Sequence, residues 1–314
     1  MDKQNKPFKI LAIDGGGIRG IYAAHILKRI QNEYKIDYRA NFDIITGTST
    51  GSILAAGIAV GHPIDKLCDF YERYGHEIFS IKPKSSKLNK IGAIFNALYD
   101  KRRLYSLLND IFENMTLGDV KTALLIPVTN ASNGNTMVIK SSYKENLNFT
   151  RDATMKLSEA VLASCSAPIY FSPTLVKEYL LADGGLWANN PALVGLTEAL
   201  SFRLNIGITD VKVLSIGTGQ GKIYYNPADH NKKWGFLQWG GPDLISTILN
   251  VQSISVHNML KLILNKQQYL RLNHEFEGDP QLDNVNIIKS LLSQADQVFT
   301  ENSDSIKHFL YGGG

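Results

Sequence analysis

Two cysteines in 314 residues, Cys68 and Cys165, leave no disulfide framework, and neither sits in a metal-ligand spacing. They read as reduced, structural thiols of a cytosolic protein. No uncharged apolar run reaches the roughly 20 residues that a membrane span needs, so any membrane contact is expected to be peripheral. Met1 to Lys9 is polar and runs straight into a strand, which is not the pattern of a signal peptide. A strong charge of one sign is also missing. The net charge of +4, with a pI near 8.8, is too mild to indicate nucleic acid. Internal repeats and low-complexity linkers are absent too. What remains, 44% hydrophobic and 20% charged residues, is the composition of an ordinary globular protein.

Apolar runs and helical periodicity alternate along the chain. Lys9–Ile13, Phe42–Thr46 and Val211–Ile216 read as buried strands, and Leu180–Ala182 as a short one. Leu124–Thr129 and Thr136–Ser141 read as strands joined around Asn133-Gly134, a hairpin signal. Three- and four-residue spacing predicts helices over Ile21–Tyr34, Ser52–Val60 (with Gly61 as the residue just past its end), Pro63–Phe79 and Lys156–Ser164. The last third is mostly helical, with a long apolar segment from Leu244 to Leu264. Such alternation argues for an α/β protein with a mostly parallel sheet covered on both faces.

Against this frame stands Gly47-Thr48-Ser49-Thr50-Gly51, between a strand and a helix. A G-x-S-x-G in that setting is the sequence form of a nucleophile elbow, a turn so tight that the flanking positions must lack side chains. It marks Ser49 as a candidate for an acyl-serine intermediate. Earlier, Asp14-Gly15-Gly16-Gly17-Ile18-Arg19-Gly20 follows the first strand and opens a helix. It matches G-x-G-x-x-G, the form of a dinucleotide-binding turn. Such a turn needs an acidic residue at the end of the second strand, where this chain has Gly47-Thr48-Ser49. Successive glycine N–H groups at a helix N-terminus instead suit the oxyanion of a tetrahedral intermediate. Arg19 either fixes this loop or is a first-turn surface residue.

The base is not an evident histidine. His25, His62, His76 and His308 lie in or beside helical patterns, His257 in a long helical run and His230 in a polar loop. Asp183 ends a short apolar strand and precedes Gly184 and Gly185, so its carboxylate would project at the same sheet edge as Ser49. In isolation, Asp-Gly-Gly is equally a plain turn.

In order and approximate spacing, DGGGIRG at Asp14, GTSTG at Gly47 and DGG at Asp183 resemble the three signatures of patatin-like phospholipases. Ala163–Phe171, Asn189-Asn190-Pro191 and Ser215–Gly219 are also similar to that family, so the likeness spans about residues 9–219 and weakens over about 220–314. The resemblance implies one patatin-like domain over 1–314, a three-layer α/β/α fold with a helical C-terminal third. It implies a Ser49–Asp183 dyad, an oxyanion loop over Gly15 to Gly20, and metal-free hydrolysis of glycerolipid acyl esters. Cys165 stands where many relatives carry serine or alanine. The length is similar to single-domain bacterial effectors of antiphage signalling, which cyclic dinucleotides activate to degrade the inner membrane. That likeness implies a cytoplasmic protein acting at the membrane's inner face, although no motif identifies a nucleotide pocket. A constitutive lysophospholipase or esterase, an acyltransferase and a non-catalytic lipid- or nucleotide-binding protein are the alternatives.

Residues 80–103 carry Lys82, Lys84, Lys87, Lys90, Lys101, Arg102 and Arg103 against the single acid Asp100. Ile91, Ile94, Phe95 and Leu98 add an apolar helical pattern beside them. The stretch suits contact with anionic headgroups. It equally suits a core-packed helix with a solvated edge, or, at Lys101, Arg102 and Arg103, a phosphate-bearing regulator. If it docks on membranes, vesicle sedimentation should weaken with added salt and with charge reversal at Lys84, Lys87 and Lys90; unchanged binding removes the membrane role.

Overall fold

The apolar runs become strands of one eight-stranded sheet, seen in a computed structural model that describes residues 6–79, 97–143, 150–222, 224–235, 238–239, 243–278 and 280–312. The first elements are β1 (Phe8–Ile13), α1 (Gly20–Tyr34), α2 (Tyr38–Asn41), β2 (Ile44–Gly47), α3 (Thr50–Val60), α4 (Ile64–Phe79) and α5 (Lys101–Phe112). Next come β3 (Ala123–Asn130), β4 (Asn135–Lys140), α6 (Thr150–Ala153), α7 (Leu157–Ser164), β5 (Thr174–Val176) and β6 (Tyr179–Asp183). The remainder holds α8 (Gly185–Ala188), α9 (Ala192–Leu200), β7 (Val211–Ile216), β8 (Gln220–Gly221), α10 (Asp243–Ile263), β9 (Tyr269–Leu272), β10 (Glu275–Phe276), α11 (Ile288–Glu301) and α12 (Ser303–Tyr311).

The strand order is β5-β6-β3-β2-β1-β7-β9, with β4 on the remaining edge of β3. Pairs among β3, β2, β1, β7 and β9 are parallel, whereas β4, β6 and β5 add antiparallel ladders. Side chains along β1 alternate between two cores. Leu11 and Ile13 pack with α1, α3 and α4, while Ile10 and Ala12 pack with Ala192 and Leu196 of α9 and Leu260 of α10. Burial on both faces is what a parallel sheet between helical layers requires, and it explains why β1 reads as a continuous apolar run. The architecture is the three-layer α/β/α fold that the motif order implies.

The site is placed by how β3 is shared. β4 occupies one edge of β3 from Leu125 to Asn130. On the other edge β2 lies alongside Ala123–Leu125, and β6 comes from the opposite direction alongside Val128–Asn130. The C-terminal ends of β2 and β6 therefore converge near Pro127. Ser49 follows the first end and Asp183 forms the second.

Close backbone approach also fixes the elbow. A Cβ on Gly51 would stand 2.3 Å from the Ile13 carbonyl oxygen and 2.6 Å from that of Asp14, and one on Gly47 would stand 2.1 Å from the Gly51 oxygen. Those obstacles are backbone and cannot rotate away. Gly51→Ala is expected to destabilise the fold by about 3 kcal/mol or more, read as a lowered urea midpoint at constant slope.

Candidate active site

Ser49 sits between the end of β2 and the start of α3 with φ 52° and ψ −127°, a conformation that L side chains rarely adopt. Holding it costs about 1–3 kcal/mol and needs a rigid surround. The surround is specific. The Ser49 N–H donates to Ser164 Oγ at 2.9 Å, and that hydroxyl donates to the Pro127 carbonyl at 2.8 Å. Thr48 Oγ donates to the Ala188 carbonyl at 2.6 Å, and the Thr50 side chain pairs with the buried Tyr71 hydroxyl at 2.8 Å.

Asp183 is buried at the end of β6, where the Gly185 N–H donates to its Oδ1 at 2.7 Å. Burial pushes its carboxyl up to about 7, against the opposing pull of the Gly185 N–H and the Ser49 hydroxyl. Both Ser49 and Asp183 line a pocket of about 650 Å³ whose remaining wall is largely apolar, including Ile53, Phe70, Leu104, Phe171, Leu249 and Leu282. Among the described residues, no histidine lines it. Cys165 does, and its thiol is pushed up by burial beside Ser49. It is therefore a wall of the pocket rather than a remote structural thiol.

The loop ahead of α1 is held by a set of backbone hydrogen bonds. The Gly15 N–H donates to the Asn189 carbonyl at 3.0 Å, that of Ile18 to the Leu282 carbonyl at 2.8 Å and that of Arg19 to Gly16 at 3.1 Å. The Gly20 N–H bonds back to the turn at Gly17 and Ile18. Among the described residues, Gly16 and Gly17 are left with N–H groups that meet no protein acceptor. Gly17 has φ 59°, and a Cβ there would stand 2.2 Å from the Leu282 carbonyl oxygen. Arg19 is buried, with Nε donating to the Gly16 carbonyl at 3.3 Å, so it fixes the loop and is not a surface residue.

Behind the loop, Asp14 forms a two-point ion pair with Arg271 of β9, with Nη2–Oδ2 at 2.6 Å and Nη1–Oδ1 at 3.2 Å. Arg271 also donates to Ser215 Oγ at 2.7 Å, and Ser253 of α10 donates to Asp14 at 3.3 Å. Burial pushes the Asp14 carboxyl up, while the guanidinium holds its charged form. Arg271 and Leu282 carried no motif signal, and Ser164, although inside the family-like stretch Ala163–Phe171, was given no role. Each lies more than a hundred residues from the group it supports.

Lys101, Arg102 and Arg103 open α5 outside this pocket. Lys101 Nζ donates to the Pro173 carbonyl at 2.5 Å and to Thr174 Oγ at 3.2 Å. Arg102 Nε meets Asp100 at 2.6 Å, and Arg103 Nε meets Glu77 at 2.8 Å. All three cations thus have partners within the fold. Lys84, Lys87 and Lys90, with Ile91, Ile94 and Phe95, lie outside the described residues.

Fold and site together define an α/β protein in which an elbow-borne serine and a buried carboxyl share one apolar pocket. The sequence profile of the family described as patatin-like phospholipase matches residues 11–196. A cGAMP-activated phospholipase of Pseudomonas aeruginosa (strain BWHPSA011 / Pa011) is 32% identical over 277 residues, covering 88% of this chain and 81% of that protein. A cGAMP-activated phospholipase of Vibrio cholerae serotype O1 is 31% identical, covering 93% and 90%. A cUMP-AMP-activated phospholipase of Escherichia coli is 26% identical, covering 86% and 82%. The chain belongs to the patatin-like phospholipase family, a family of lipid hydrolases.

Removing Arg271 would leave the Asp14 carboxylate buried and uncompensated, a loss of about 3–5 kcal/mol. Arg271→Met is expected to lower stability in urea by that amount, and adding Asp14→Asn should recover most of it.

Proposed function

We propose that this protein is a lipid acyl hydrolase that cleaves fatty-acyl esters of membrane phospholipids through Ser49 and Asp183, within one patatin-like domain over 1–314. The observation that carries the reading is the convergence of a strained serine and a carboxyl of elevated proton affinity in one apolar pocket. An aspartate at its ordinary pKa of about 3.9 is a feeble base toward an alcohol. Raised to about 7, Asp183 can take a proton and return it near neutral pH.

As Ser49 Oγ attacks the ester carbonyl, its proton passes to the Asp183 carboxylate. The oxyanion forms against the uncommitted N–H groups of Gly16 and Gly17. The other four loop residues hold those two in place. Asp183 then protonates the departing alkoxide, leaving the acyl group on Ser49. Water repeats the sequence: its proton goes to Asp183, its oxygen attacks the acyl carbonyl, and the proton returns to Ser49 as the fatty acid leaves. The loop supplies most of the stabilisation, since losing one such donor costs about 100- to 1,000-fold. The dyad, like the family, calls for no metal. The relatives' names support activation by a cyclic dinucleotide. We further propose that the protein acts from the cytoplasm on the inner face of the membrane, in antiviral defence.

Ser49→Ala and Asp183→Asn should each lower hydrolysis in mixed phospholipid vesicles by at least about a thousandfold without unfolding the chain. Substantial turnover by either folded variant would sink the dyad. The wild-type kcat/KM should rise with pH through about 7 as Asp183 loses its proton. The same shift has a sign for stability. The folded carboxyl binds its proton more tightly than the unfolded one, so folding is penalised increasingly as pH rises from the unfolded value towards about 7. At pH 8, Asp183→Asn should therefore raise the melting temperature while abolishing activity.

A further inference from the structure

Away from the catalytic pocket, two surface clefts mix charges of both signs. One sets Lys66 and Arg73 beside Asp69 and Asp110, and another sets Arg39 and Lys121 beside Asp43. A third cleft, of about 780 Å³, differs. Its wall includes His257, Lys261, Lys266, Tyr269 and Arg271, and among the described residues no carboxylate lines it. Lys261 and Lys266 are exposed, and among the described residues neither enters an ion pair. Asp14 is held by Arg271 through the two-point pair. The His257 imidazole lies 3.0 Å from the Tyr269 hydroxyl. Burial, together with Arg271 and Lys261, pushes that imidazole down to about 4. With Arg271 paired and His257 neutral, Lys261 and Lys266 leave the cleft with a net positive charge, and it is large enough for more than an inorganic ion.

The cleft also touches the catalytic loop's support. Arg271 forms part of its wall at one end and grips Asp14, the residue before Gly15, at the other. Helix α10 supplies His257 and Lys261 to the cleft, and one turn earlier it supplies Ser253 to Asp14 and Asn189. The half-buried His257 ring, backed by the buried Tyr269 ring with centroids 5.6 Å apart, sets one aromatic edge beside the cations, which suits a nucleobase better than a bare phosphate.

We propose that this cleft binds the phosphodiester of a soluble cyclic dinucleotide, and that the catalytic loop senses its occupation through Arg271 and Asp14. The inference rests on the regulatory reading above and gives it a location. An anion at Lys261 and Lys266 competes with Asp14 for the Arg271 guanidinium. Binding at the cleft and the state of the Gly15–Gly17 loop are then linked, and by reciprocity each shifts the other.

Titration calorimetry on the full chain carrying Ser49→Ala, with cGAMP and with cUMP-AMP as probes, tests the site without turnover. At least one probe is expected to bind, more weakly as salt rises. Lys261→Glu with Lys266→Glu should weaken it tenfold or more. The double arginine variant should stay within threefold of the parent, and Lys35→Glu with Lys307→Glu should leave affinity unchanged. Equal affinity in the Lys261/Lys266 reversal, or binding of neither probe, overturns the site. Binding of phosphatidylglycerol vesicles but of neither nucleotide would assign the cleft to a lipid headgroup and overturn it as well. In the wild-type chain, the bound probe should change the rate of fluorophosphonate labelling at Ser49 threefold or more, an effect lost in the Lys261/Lys266 reversal. An unchanged rate overturns the coupling. Nucleotide binding without lipid hydrolysis would overturn the proposed reaction and leave the cleft standing.

Discussion

The hydrogen-bond ladder of β3 is the constraint on which the site depends. One edge of that strand receives β2 and β6 from opposite directions, so two chain segments more than a hundred residues apart finish within reach of each other. Pro127 sits at the meeting point, and its carbonyl anchors Ser164, which in turn holds the Ser49 backbone. A slip of one residue in either register would turn a side chain to the opposite face of the sheet and dissolve the constellation. The antiparallel arrival of β6 is therefore what brings a carboxyl, and not another strand start, to the serine.

Two buried aspartates show how environment divides labour. Asp14 meets a guanidinium at two points, which opposes the rise that burial causes and ties the carboxyl into the scaffold. Among the described residues, Asp183 meets a backbone N–H and a hydroxyl and no cation to offset desolvation, and its proton affinity rises towards neutrality. The same residue type thus serves as strut in one place and as proposed proton carrier in the other. The second arrangement costs stability, which is the usual condition of a site built for chemistry.

Much of this was legible in the sequence because its signals are local. Val211–Ile216 is a strand as read, and the helix expected from Leu244 to Leu264 runs from Asp243 to Ile263. The hairpin around Asn133-Gly134 joins Ala123–Asn130 to Asn135–Lys140. The elbow and the glycine loop could be read because tight turns demand glycine at fixed offsets. Boundaries moved where tertiary contact decides: β2 extends to Gly47, and α3 begins at Thr50, two residues early, because Ser49 itself ends the turn. Thr174–Val176 and Tyr269–Leu272 went unread, being too short to show a period. Of the six loop residues grouped as oxyanion donors, only hydrogen-bond accounting separates Gly16 and Gly17 from the rest, and that depends on acceptors at Asn189 and Leu282. Arg271 was illegible for a simpler reason: a single arginine in a short strand announces nothing until its partner is seen.

The dependence of the glycine loop on Arg271 and Leu282 bears on how such a protein is made. The three motifs end at Gly185, and the family profile ends at residue 196, yet the carbonyl that holds Ile18 and the cation that holds Asp14 come later. A ribosome that has released every motif has still not released what shapes the loop. The strands can pair and the elbow can form while the nascent chain remains without its finished pocket. For a protein proposed to attack its own cell's membrane, synthesis order becomes a safeguard: competence arrives with the late residues, after the fold is closed.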